Sequence, residues 1–433
     1  MTSLFPNKEV KLRYILRIPG EIRMSKKKVR HFDFAKKPIR PCFIMSLAKW
    51  IISFPDLKKR GFTYEKVNME GVKAPYLLLV THSSMVDFNI MLKLTHPQPV
   101  NNVMTLEGFN TYTEPLMRSL GVLGTRKFIT DMHLVKNIKY CVDKLKTIFV
   151  LFPEARYSLD GCTSYLPDSL GKLVKVLKVP VVVLQIHGNF VASPQWNKIN
   201  KKTPVEAKMI KILTPEQAKA MSVDEINELI REYFQYDDFA WQREKNMKIT
   251  HPKRANGLHR LLYKCAACHT EGQMDSKGIE LWCNHCGKAW VMTEYGQLEA
   301  KNGETEFSHI PDWSNWERAC VRQEIENGTY YFEDDVRIET LPSSLRFYKQ
   351  GMGKFIQNCK ETKVECNAYG EPYTLVRSAK NLDSMHIEYD YLGRGDCVDI
   401  SVPDDSFWCY MSKRDVITKI AFATEEMHKL SKE

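Results

Sequence analysis

Nowhere does this 433-residue chain hold an apolar run long enough to cross a bilayer. The longest, Pro41 to Phe54, includes Lys49 and spans about a dozen residues where roughly twenty are needed. A secretory signal is not expected either: Lys8, Lys11, Arg13 and Arg17 interrupt the start, and no small-residue cleavage site follows an apolar stretch. Internal repeats and low-complexity tracts are lacking, so no repeat array is indicated. Acidic residues are scarce at one end. Residues 1–60 hold 4 Asp or Glu against 16 Lys or Arg, whereas residues 301–433 hold 24 against 17, so the basic character of a chain with net charge +11 belongs to its N-terminus. That asymmetry calls for an anionic surface as partner there, a membrane or a nucleic acid. Cystine scaffolding is not expected. Four of the 12 cysteines fall in paired CxxC spacing and the rest are scattered, which fits a reducing compartment with one metal site.

What the chain does have is apolar material for a core, 43% hydrophobic against 27% charged residues, and one stretch around which chemistry can be built. Tyr76 to Phe88 reads YLLLVTHSSMVDF. Leu77 to Val80, four aliphatics between polar neighbours, predict a strand buried on both faces of a parallel sheet. His82 then lies at the strand's C-terminal end, bordering the crevice where open α/β sheets bind ligands, and Ser84 onward can start a helix capped by a hydroxyl. Across one turn His82 and Asp87 would face each other. A carboxylate on one imidazole nitrogen leaves the other free to take a proton, which makes His82 a candidate general base. For an isolated pair the plainer alternative is a surface histidine beside a helix-start aspartate.

Three later stretches bear on that choice. Gly121 to Lys127, GVLGTRK, brings small residues and two cations together; Phe149 to Ser158, FVLFPEARYS, is a second buried strand ending in Pro153, Glu154 and Arg156; Val179 to Gly188, VPVVVLQIHG, is a third. His82 with Asp87, the Gly121 block, Phe152-Pro153-Glu154 and the Pro180 strand stand in the order and rough spacing of the four motifs of glycerolipid acyltransferases. Over about residues 70 to 195 the chain resembles a bacterial acyl-glycerol-phosphate acyltransferase, of the lysophosphatidic acid acyltransferase type. In its third motif Ala155 replaces the family's glycine and the cation is displaced by one residue to Arg156; in its second, Arg126 falls at the family's acidic position and Lys127 at its arginine. The resemblance implies transfer of a fatty acyl group from acyl-CoA or acyl carrier protein to a lysophospholipid acceptor. His82 and Asp87 would be catalytic, and Arg126, Lys127, Glu154 and Arg156 would bind the acceptor.

The segments around that block are read from pattern. Residues 1–60 form a basic, membrane-facing segment in which Phe43, Ile44, Leu47, Trp50, Ile51 and Phe54 recur at helical spacing, so one face can enter the headgroup layer of an anionic membrane surface. Each Lys or Arg near such a surface contributes on the order of 1 kcal/mol. A core-packing helix with a solvated basic tail is the alternative. Residues 61–250 form the acyltransferase-like domain, with Asn102–Thr105 a weak strand, Asp131–Leu145 a helix and Glu206–Trp241 helical, and His251–Gly257 is the linker. In residues 258–300, Cys265, Cys268, Cys283 and Cys286 form two knuckles suited to one structural Zn²⁺, as in a zinc ribbon, with Gly287 allowing the second turn. Four thiolates close the coordination, which gives the zinc a folding role. In residues 301–433 a series of short strand candidates between Tyr330 and Tyr410, then an amphipathic helix from Arg414 to Leu430, outline a β-rich domain of pleckstrin-homology-like order. The expected architecture is α/β, a mostly parallel sheet with helices on both faces, followed by the ribbon and the β-rich domain. The expected place is cytoplasmic, peripheral on the inner face of the cell membrane. A non-catalytic lipid-binding scaffold is one rival. A nucleic-acid-binding ribbon protein is another, but only Tyr14, Phe32 and Phe34 interleave the basic stretch for base stacking, so no nucleic acid is expected.

Overall fold

The computed structural model describes residues 29–42, 57–109 and 113–433. The basic residues 1–28 and the amphipathic stretch 43–54 lie outside the described residues. Among the described residues no helix is long and apolar enough to cross a membrane.

The first sheet has seven strands: β1 (Thr63–Val67), β2 (Leu77–Val80), β3 (Val100–Thr105), β4 (Val122–Thr125), β5 (Ile148–Leu151), β6 (Val181–His187) and β7 (Glu206–Leu213). Their order is β1-β7-β6-β2-β5-β3-β4. Strands β6, β2, β5, β3 and β4 are mutually parallel, β7 runs antiparallel to β6, and β1 is parallel to β7. Aliphatic side chains leave β2 to both faces. Leu77 and Leu79 join Phe149, Val181 and Val183 beneath the helices Ser169–Leu177 and Val223–Phe234, while Leu78 and Val80 join Val150, Val182 and Leu184 beneath Val86–Thr95. Each such side chain contributes roughly 1.5–3 kcal/mol by leaving water, which explains why a strand without polar alternation sits at the centre. The strap 29–42 crosses the β4 edge, where Phe32 packs so closely that a Cβ on Gly124 would stand 2.4 Å from its ring.

Two sequence expectations for this region change. Glu206–Leu213 is strand β7, not helix: Ala207 and Met209 turn inward, Lys208 turns outward, and the run pairs with both β1 and β6. Helix begins only after it, at two capping boxes, Thr214 with Gln217 and Ser222 with Glu225. The expected linker is also packed. Ala255 is buried, and Arg254 Nε donates to the carbonyls of Met292 and Thr293 at 2.7 and 3.1 Å.

A four-stranded antiparallel sheet follows, β8 (Met274–Lys277), β9 (Glu280–Cys283), β10 (Ala289–Met292) and β11 (Leu298–Ala300), in the order β11-β10-β9-β8. Next comes the helix Ile310–Glu326, absent from the sequence reading. Its inward stripe of Ile310, Trp313, Val321 and Ile325 is interrupted by Glu317, a fully buried carboxyl accepting the Lys264 N–H at 2.8 Å, which masks the helical period. The last sheet is antiparallel throughout: β12 (Tyr331–Thr340), β13 (Tyr348–Asn358), β14 (Glu361–Ala368), β15 (Glu371–Ser378), β16 (His386–Glu388), β17 (Cys397–Val402) and β18 (Asp405–Tyr410), in the order β15-β14-β13-β12-β18-β17-β16, closed by the helix Ile417–Leu430. One apolar cluster runs from Phe190 and Trp196, beyond the strands of the first sheet, through Leu281 and Trp290 to Val336 and Phe422, so the later units are packed onto the first.

Candidate active site

His82 lies two residues beyond β2, at the edge where β4, β5 and β6 also end. Its Nδ1 is 3.4 Å from Asp87 Oδ2. That carboxylate is fully buried and held by further donors: Oδ2 accepts the N–H groups of Ser83 and Ser84 at 2.6 and 2.8 Å, and Oδ1 accepts Asn189 Nδ2 at 2.6 Å. The expected hydroxyl cap is thus replaced, because the carboxylate reaches back to amides of the preceding turn and Ser84 Oγ meets only the Val86 N–H, at 3.2 Å. With Nδ1 toward a carboxylate, the tautomer that leaves Nε2 as acceptor is favoured. The His82 side chain is 21% exposed at the sheet edge.

The loop after β5 encloses the imidazole. Phe152 and Tyr157 pack on it with ring centroids at 4.2 and 4.4 Å, Glu154 Oε1 accepts the His82 N–H at 3.1 Å, and the Ser158 N–H donates to the His82 carbonyl at 2.9 Å. Glu154 faces inward. Its carboxylate also accepts the Ser164 N–H at 2.8 Å and the Tyr236 hydroxyl at 3.2 Å, and burial pushes it up to about 7. It therefore braces the histidine's backbone, and its oxygens are taken. Between Glu154 and Arg156 the chain turns at Ala155 with φ +54°, a left-handed conformation that suits the glycine of the acyltransferase motif better than alanine.

The three cations expected to bind acceptor are engaged within the protein. Arg126, 4% exposed, donates through Nη1 to the Leu341 carbonyl and Ser406 Oγ at 2.8 and 2.7 Å and through Nη2 to the Pro342 carbonyl at 2.9 Å. Lys127 pairs with Glu107 at 2.8 Å. Arg156 pairs with Glu425 of the terminal helix at 2.5 Å. The structure thus brings His82, Asp87 and Glu154 into one site and directs Arg126 and Arg156 into the junction with the C-terminal sheet.

Sequence reasoning missed Asn189 and Tyr157, and also a second pair, His187 with Asp238. His187 Nδ1 is 2.9 Å from a fully buried Asp238, which also accepts the Gly188 and Phe190 N–H groups at 3.1 and 3.2 Å, and the ring stacks on Trp241 at 5.7 Å. The signal was present, since His187 ends the β6 aliphatic run as His82 ends that of β2.

In the second unit the ligand atoms of Cys265, Cys268, Cys283 and Cys286 lie within 4.8 Å of one another. The sulfurs of Cys265 and Cys286, and those of Cys268 and Cys283, are 3.7 Å apart. Tetrahedral coordination at a metal–sulfur distance of about 2.3 Å requires sulfurs about 3.8 Å apart, so the cage fits one ion. Gly287, φ +75°, supplies the turn after the second pair.

No family model matches the chain, and no curated protein matches it. Among solved structures, the crystal structure of the 1-acyl-sn-glycerophosphate (LPA) acyltransferase, PlsC, from Thermotoga maritima is similar over 43% of this chain and 78% of its own, at 17% identity and a TM-score of 0.31.

Proposed function

We propose that this protein is an acyltransferase that moves a fatty acyl group from acyl-CoA or acyl carrier protein to the hydroxyl of a glycerolipid, converting lysophosphatidic acid to phosphatidic acid. The observation that carries this reading is His82 at the end of β2, with Nδ1 toward a buried, four-fold hydrogen-bonded Asp87. In the reaction His82 Nε2 takes the hydroxyl proton as the oxygen attacks the thioester carbonyl. The carbon–sulfur bond then breaks, the thiolate leaves, and the imidazolium returns the proton to it. Asp87 stabilises the transient imidazolium and keeps the ring in register. A dianionic phosphate can compete with Glu107 for Lys127, whereas Arg126 and Arg156 serve the junction.

Three further assignments belong to this reading. The cysteine cage holds zinc in a structural role, because four thiolates leave no position for substrate. The C-terminal sheet follows a pleckstrin-homology-like order by fold analogy alone, and a protein-binding or structural role suits its acidic balance. The enzyme works peripherally on the inner face of the cell membrane. The capture of Arg126 and Arg156 favours one alternative, a lipid-binding scaffold without turnover.

The test is acyl transfer to several lysolipids by intact and His82→Ala protein. Turnover is expected to fall at least a hundredfold with the fold intact, since general-base catalysis supplies about 10²–10⁴. Full activity in folded His82→Ala protein would refute the mechanism, and lysolipid binding without turnover in the intact protein would select the scaffold.

A further inference from the structure

Glu425 joins the last helix to the loop that encloses His82. Its side chain is 2% exposed; Oε1 accepts Arg156 Nη2 at 2.5 Å and Ser384 Oγ at 2.7 Å, and Oε2 accepts Arg318 Nη1 at 2.6 Å. Burial alone would push its carboxyl up, but Arg156 and Arg318 bring it down to about 2, so it is ionised throughout the working range. The dependence is mutual. Arg156 Nε and Nη1 are buried with no hydrogen-bond partner among the described residues, which leaves Glu425 as the group that compensates the guanidinium charge.

Among the described residues Arg156 hydrogen-bonds to Glu425 and not to His82, yet its chain neighbours touch the histidine. Phe152 and Tyr157 touch the ring, Glu154 holds the backbone N–H, and Ser158 holds the carbonyl. A loop of seven residues with those four contacts and an anchored arginine at its centre has little freedom to swing from the imidazole. We infer that Glu425 is a positioning residue for His82: by gripping Arg156 across the junction it holds the Phe152–Ser158 loop against the imidazole, so the C-terminal unit governs the orientation of the general base. Its catalytic consequence rests on the acyl-transfer reading; its structural consequence does not. If the pair only staples two units together, breaking it lowers stability and leaves His82 unchanged.

The full chain therefore needs a measurement on His82 itself. Histidine side-chain NMR, with the His82 signal identified by His82→Gln, would be recorded through a pH titration for intact, Glu425→Gln and Glu425→Asp protein, alongside kcat and KM. The control is Arg322→Ala, which removes the Arg322–Glu426 and Arg322–Glu433 pairs to the same C-terminal segment without touching the loop. Glu425→Gln is expected to shift the His82 signals and titration midpoint and to lower kcat about tenfold with KM within twofold, because misplacement of a base affects the chemical step. Glu425→Asp keeps the charge and should recover most of the loss, and Arg322→Ala should lower the melting temperature only. Ser384→Ala, which removes one donor to Glu425, replaces Glu425→Gln if that variant does not fold, with a smaller shift in the same direction. His82 signals unmoved in a destabilised Glu425→Gln protein would overturn the inference. Moved signals in a protein whose intact form transfers no acyl group would uphold it and refute the acyl-transfer reading instead.

Discussion

Replacing Glu154 by glutamine should change the pH dependence of stability by an amount that its environment sets. In the folded protein its carboxyl is pushed by burial up to about 7 from an ordinary value of 4.5, although the Ser164 and His82 N–H groups and the Tyr236 hydroxyl draw it back down. The unfolded chain releases this proton first, so the folded state binds more protons between those two values. Stability therefore falls as pH rises from 4.5 to 7 and levels off above. Linkage with these values makes the cost about 1 kcal/mol at pH 5 and about 3 kcal/mol at pH 8, a change of about 2.5 kcal/mol across the interval. Glutamine stays neutral and loses all of the titration; because the His82 and Ser164 N–H groups bond to different carboxylate oxygens, its one acceptor oxygen serves only one of them, a loss that offsets the whole curve without depending on pH. Chemical denaturation of intact and Glu154→Gln protein at pH 5, 6, 7 and 8 isolates the effect, because every other titrating group cancels in the difference. Glu154→Gln should gain on the intact protein by about 2.5 kcal/mol between pH 5 and pH 8. Parallel curves would show that the carboxylate is ionised at no cost, and the account of Glu154 as a buried brace would fail.

Ala155→Gly should stabilise the protein by roughly 0.5 kcal/mol, the relief of a left-handed alanine at φ +54° less the added freedom of glycine in the unfolded chain; a lower denaturation midpoint would count against strain at that turn. Freshly prepared, reduced protein should contain about one zinc per chain by metal analysis, and Cys283→Ser or Cys286→Ser should lose it and loosen the second unit, while protein without metal would refute the cage. Binding to anionic vesicles should be strong at low salt and weaken as screening shortens to about 10 Å near 0.1 M, with a residual apolar component. Removing residues 1–55 should abolish that binding, and a truncated protein that pellets as fully as the intact one would move the membrane surface elsewhere.

Local pattern by itself determined a good part of this protein. The bounds of β2 follow from four aliphatics between polar neighbours, the placing of His82 follows from where that run ends, and two CxxC pairs are enough to foresee a four-sulfur cage. Each depends on a spacing of a few residues or on a composition that only a buried strand tolerates. Other features depend on partners that no local window contains. Glu206–Leu213, with its mixture of Lys, Glu and aliphatics, suits helix or strand equally until β1 and β6 offer their edges, and Glu317 hides the period of its helix because the Lys264 N–H donates to its carboxyl within the core. The arginines make the division plainest. Arg156 stands one residue before the place where a motif cation is expected, but its partner is a glutamate 269 residues away, and Arg126 donates to carbonyls 215 and 216 residues away. A guanidinium looks the same in sequence whether it meets a phosphate or a buried carboxylate. Only the packing of the C-terminal unit on the sheet edge decided which, because in low-dielectric surroundings a cation must be matched by whatever acceptor the fold brings within reach.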